Sequence, residues 1–187
     1  MERGSGGFEG GYDSGGGLRA QVQRGLDCLR FGAIHDATEM WDYIIDRTAS
    51  LPDTAGDDYS FAEATADIAQ DAQNLMGDCM RTRERLSEAH TEFAAAHQQS
   101  LGLFDAQTQE LVGMSEDTSD KHDQYIVAAT SLADRAEDPA ARSRNRTDEV
   151  AHLLALAQQA RTFHGEALEG ISLTILTARA LLGNDGL

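Results

Sequence analysis

The chain has 187 residues with 32 acidic against 15 basic side chains, a formal net charge of −17. So acidic a surface repels phosphate backbones and anionic headgroups, which argues against nucleic-acid binding or membrane-surface attachment by the chain as a whole. With 2 prolines, 6% aromatic residues and abundant Ala, Leu, Gln, Glu and Arg, propensity favours helix, and no convincing strand is visible.

Residues 1–17 (MERGSGGFEGGYDSGGG) read as a flexible glycine-rich tail, because so little apolar surface cannot offset the entropy of ordering it. They lack the apolar core of a signal peptide. Ala167 to Leu182 is the most apolar stretch, but with Glu169 and Arg179 inside it is too short and too charged to span a bilayer. The expected setting is therefore the cytoplasm, with signal-independent secretion as the other route.

From Leu18 an apolar residue recurs every three to four positions through Val22, Leu26, Leu29, Ala33, Ala37, Met40 and Ile44, widened by Phe31, Trp41 and Ile45. This predicts one amphipathic helix to about residue 50, closed by Pro52 and the polar run to Tyr59. Ser60 and Glu63 match a capping box and open a second helix over about 60–112. Its seam is Phe61, Thr65, Ile68, Ala72, Leu75, Cys79, Thr82, Leu86, Ala89, Phe93 and Ala96, a 4,3 spacing of coiled-coil type. Ser100 and Gly102 are the weakest point of this helix and the alternative place for the chain to kink or turn. The polar run Gly113 to Asp120 (GMSEDTSD), rich in capping residues, predicts the main turn.

A third helix is expected over about 116–137. The last starts at residue 139 or 147 and runs to 183, along Val150, Leu153, Ala157, Ala160, His164, Ala167, Ile171, Thr174, Ala178 and Leu181. The expected fold is all-α: an antiparallel bundle of three to four long helices with coiled-coil-like packing, a single domain over 18–183, and a short end at 184–187. No nucleotide-binding or hydrolase fingerprint is present.

If the turns centre near residues 55 and 114, residue i of the second helix faces about 110 − i of the first and about 228 − i of the later helices. On that reckoning His35, Glu39, Glu149 and His152 gather at one height, with Glu149 and His152 forming Glu-x-x-His. Di-metal bundles use that motif twice, with one further Glu from each of two more helices, whereas here it occurs once. Solvated histidines on helix flanks are the plainer account. Cys28 and Cys79 would lie about one turn apart, either as a disulfide or as two core thiols. His164, on a seam, reads as a hydrogen-bonded core residue. Arg83 and Arg85 would share a belt with Arg144 and Arg146, either as an acidic-partner or phosphate docking patch or as surface ion pairs.

With no convergent catalytic set, the leading expectation is a noncatalytic interaction or assembly protein that binds a protein partner or itself. Phe31, Trp41, Leu176 and Leu181, with the arginines, would supply the contacts. No cofactor is expected apart from the metal ion of the second reading, the carboxylate and histidine bundle. A third reading is a small helical substrate of a specialised secretion system.

Overall fold

The computed structural model describes residues 14–31, 36–100, 102–140 and 144–183, the side chains of residues 14–16, 31 and 103 excepted. The described residues are helical and contain no strand. The long elements are α1 (Ser14–Phe31), α2 (Thr38–Ala49), α4 (Asp58–Gln99), α5 (Asp105–Glu137) and α6 (Arg146–Gly183), with the single turn α3 (Leu51–Thr54) after α2.

The longest helix turns at Gly102, not at Gly113. Gly102 has φ +72, the left-handed region that only glycine enters without steric cost. Arg83 meets Asp123 and His90 meets Ser115, so a residue of α4 lies beside about 206 minus its own number on α5. Residues 113–120 instead lie inside α5. Their hydroxyls donate back to the preceding turn, Ser115 to Val112 O and Thr118 to Met114 O, so the residues that suggested a turn satisfy their polar groups within the helix.

The first predicted helix is two. The register along Leu18, Val22, Leu26 and Leu29 would continue to Met40, but Met40 is exposed and the buried residues of the next helix are Trp41, Ile44 and Thr48. Ala37, Trp41 and Ile44 of the expected stripe are buried, whereas Met40 is not, and Ala33 lies outside the described residues. At its other end α1 starts at Ser14, taking up three glycines assigned to the tail; residues 1–13 lie outside the described part. α4 starts two residues before the expected position, with the Asp57 side chain accepting from Ser60 N at 2.7 Å. α6 takes the later of its two expected starts, where Asn145 Oδ1 accepts from Thr147 N at 3.0 Å.

The seams of the two long helices are borne out residue by residue. All eleven predicted positions of α4 are buried, joined by Ala69, and all ten of α6 are buried, joined by Glu149. α4 packs on α1 and α5, α5 on α6, and α1 and α2 each reach α6 at different heights. The apolar interior is in two parts. One joins α2 and α3 to residues 61–79, 125–136 and 150–160, and the other joins α1 to residues 86–96, Leu111 and residues 171–181.

Gly25 shows how closely α1 and α4 approach. A Cβ built there falls 2.5–2.9 Å from three ring atoms of Phe93, which is itself fully buried. In an exposed helix, alanine would be preferred to glycine by about 1 kcal/mol. Here overpacking wins, and Gly25→Ala is expected to destabilise the protein by about 1–3 kcal/mol in urea unfolding, with Phe93→Leu in the same chain recovering part of the loss.

Candidate functional site

Between the two apolar parts lies a polar waist. Tyr125 of α5, 2% exposed, is its hub. Its hydroxyl accepts from the indole N–H of Trp41 at 3.0 Å, and the two rings meet edge to face with centroids 5.8 Å apart. His122, one turn earlier on α5, lies 5.8 Å from the Tyr125 ring, and His164 of α6 lies 5.0 Å from it. Cys79 of α4 is buried beside the same phenol and directs its thiol at Leu75 O, 3.1 Å away. His164 Nε2 accepts the backbone N–H of Ala37 at 3.1 Å. The expectation of a hydrogen-bonded core histidine at this seam position therefore holds.

Burial governs the chemistry of these groups. It pushes His122 down to about 4 and keeps its ring neutral, with Asp123 only partly opposing. His122 Nδ1 is buried without a hydrogen-bond partner. Burial also raises Tyr125 and Cys79; Cys79 adds to the rise at Tyr125, while the hydrogen bond with Tyr125 only partly opposes the rise at Cys79, so both hold their protons at neutral pH. A thiol so held is a poor nucleophile.

Of the expected metal ligands, the three among the described residues, Glu39, Glu149 and His152, are not brought together. His35 lies outside the described residues. Glu39 and His152 are both exposed. Ala37 touches His164, and His152 is about twelve residues before His164 along α6, roughly 18 Å away at 1.5 Å per residue. Glu149 is 1% exposed and its carboxylate is already occupied: Arg135 Nε and Nη2 donate at 2.7 and 2.6 Å, one to each oxygen, and Arg144 adds a longer contact at 3.4 Å. Burial works to raise this carboxyl, but the Arg135 fork, then Arg144, outweighs it and holds the group below the ordinary range. Among the described residues no group of three or more His, Cys, Asp or Glu side chains is arranged to hold a metal ion.

The arginine belt also separates, because its levels assumed a turn at Gly113. Arg83 pairs with Asp123 and Arg85 with Glu88. Arg144 pairs with Asp138 and Glu149, while Arg146 pairs with Asp58, reaches Gly56 O at 3.2 Å and lies over the Phe61 ring. Asp58 and Arg83 are about 25 residues apart on one helix, so the two sets are separated by nearly 40 Å. The cysteines are separate thiols. Cys28 points at Glu88 while Cys79 lies in the waist, and both are free.

Of the expected contact residues, Trp41 is fully buried and Leu181 is 2% exposed, so both are core. Leu176 is 59% exposed. The Phe31 side chain lies outside the described part. Sequence reasoning missed Tyr125 as a hub and His122 altogether, because each was placed on a helix whose start was misjudged. Arg135 carried no local signal, since its partner is on another helix.

No protein-family model matches this sequence, and searches of curated proteins and of solved structures return no match.

Two outcomes are expected. Because the folded protein keeps His122 neutral down to about pH 4 while the unfolded chain protonates near 6.5, stability falls as pH drops through that interval. The His122 contribution is on the order of 3 kcal/mol, and His122→Leu should flatten the urea-midpoint profile between pH 6.5 and 4. Arg135→Met should cost about 2 kcal/mol at pH 7, less than breaking an isolated buried pair because Arg144 remains. Glu149 has a lowered folded pKa, so the pair's contribution is present above the unfolded value and lost as pH falls through the folded one. The gap between wild type and Arg135→Met should therefore narrow in acid.

Proposed function

We propose that this is a noncatalytic helical assembly protein that acts through protein–protein contacts, with self-association through the outer face of α6 and coiled-coil-type packing within the bundle. One observation carries the reading. The inner face of α6 is filled by its buried seam, yet Leu173 and Leu176 remain 47% and 59% exposed, and the exposed Ala180 continues the same stripe at i, i+3, i+7 spacing. An exposed apolar stripe along a helix is the surface that helix-in-groove recognition and isologous dimers use. The buried polar groups support the noncatalytic part, since His122, Tyr125 and Cys79 are held neutral inside the waist. The arginines Arg83, Arg85, Arg144 and Arg146 are engaged in ion pairs within the chain.

Light scattering across about a hundredfold range of protein concentration tests this. The mass should exceed that of one chain and rise with concentration, at low and high salt alike because the contact is apolar, and Leu176→Asp should return it to the monomer. A monomer at every concentration would sink the self-association reading.

A further inference from the structure

We propose that two copies of this chain pair antiparallel along the outer face of α6, with a two-fold axis between Leu173 and Leu176 and with Glu169 of each copy set against Arg179 of the other. The pairing rests on the self-association reading above and adds to it the orientation, the register and the charges that fix both. On α6 the exposed residues Glu166, Glu169, Leu173, Leu176, Ala180 and Gly183 recur at alternating spacings of three and four, one stripe turned away from the buried seam. Among the described residues Arg179 has no ion-pair partner, whereas every other arginine of α4, α5 and α6, and Lys121, has one.

In a two-fold contact, whatever residue of the second copy a given residue meets, that residue meets it in return. Setting Leu173 beside Leu176 of the second copy therefore brings Leu176 beside its Leu173, and one turn further out Ala180 passes over its Glu169. The small alanine leaves room at that level. Arg179, next to Ala180 on the flank of the stripe, then comes to the Glu169 carboxylate, and the contact is made once on each side of the axis. A carboxylate in an apolar seam is costly to cover unless it is paired. The antiparallel arrangement covers Glu169 and pairs it in one step.

The parallel alternative fails on the same charges. It sets Glu166 against Glu166, Glu169 against Glu169 and Arg179 against Arg179, and each Glu169 stands ten residues, about 15 Å, from the arginine of the other copy. Like charges facing across a helix pair select against that arrangement, and opposite charges select the antiparallel one. Within the chain, Lys121 of α5 is the cation near Glu166 and Glu169, and its ammonium is held by Asp117 at 3.1 Å. The two leucines supply the contact. The ion pairs choose its direction.

The test is charge reversal in the full chain, read as the dimer dissociation constant from sedimentation equilibrium, with urea midpoints alongside to show that each variant folds. Glu169→Arg and Arg179→Glu each replace two attractions by two repulsions and should weaken the dimer about tenfold at low salt. Combining the two substitutions restores both pairs and should return the constant to within about threefold of wild type. In 1 M salt, where charges are screened beyond about 3 Å, the single variants should recover most of their loss. A wild type that stays monomeric removes this pairing together with the reading it rests on. A wild-type dimer that Leu176→Asp dissociates but neither reversal weakens leaves that reading standing and overturns the antiparallel register, as does a double variant no tighter than the single ones.

Discussion

The centre of this molecule depends on the Tyr125 hydroxyl. A fully buried indole N–H must have an acceptor or cost on the order of 1–3 kcal/mol, and Trp41 finds its acceptor on Tyr125. The same ring packs on His122 and His164 and borders Cys79, so one side chain joins α2, α4, α5 and α6. An apolar residue at position 125 would leave Trp41 unsatisfied. A longer uninterrupted first helix would put Met40 where Trp41 now sits. The non-helical Asp36 and Ala37, the burial of Trp41 and the two buried histidines belong to one arrangement.

Polar groups are placed with different intent at the two levels where charge is buried. At the waist they are neutral, because burial suppresses charge on His122 and protects the protons of Tyr125 and Cys79. At the start of α6 the opposite holds. Glu149 is buried as an anion, and this is tolerable because a planar guanidinium donates to both of its oxygens and a second arginine stands nearby. That bond ties the end of α5 to the start of α6, while Arg146 ties the start of α6 to the start of α4. The remaining ion pairs are mostly exposed, and individually such pairs contribute little.

The two hydrophobic seams were legible in the sequence because helical period is a local property: positions three and four apart face the same way whatever the helix packs against. Thus the buried faces of α4 and α6 could be read from Phe61 to Ala96 and from Val150 to Leu181 with almost no change. Local reading failed where side chains have two uses. Serine and threonine cap turns, but their hydroxyls also donate back within a helix, and in α5 they do the latter. Gly102 and Gly113 are alike in sequence, and only the first takes a left-handed conformation.

That single choice of turn moved every residue of α5 along α4 by about 22 positions relative to the expected pairing. It dispersed the arginine belt and placed His122 and Tyr125 at the waist. Side-chain periodicity, composition and charge therefore determined by themselves that the chain is helical, which faces of α4 and α6 are buried and that the formal net charge is −17. Only tertiary structure decided which of those faces meet, and hence that His164 holds the start of α2, that Glu149 belongs to arginines, and that Trp41 is core. The physical reason is that a helix repeats the same face along its whole length, so its own pattern carries no information on level. Level is set by where the chain turns, and by the few polar groups that must find a partner across the bundle once they are buried.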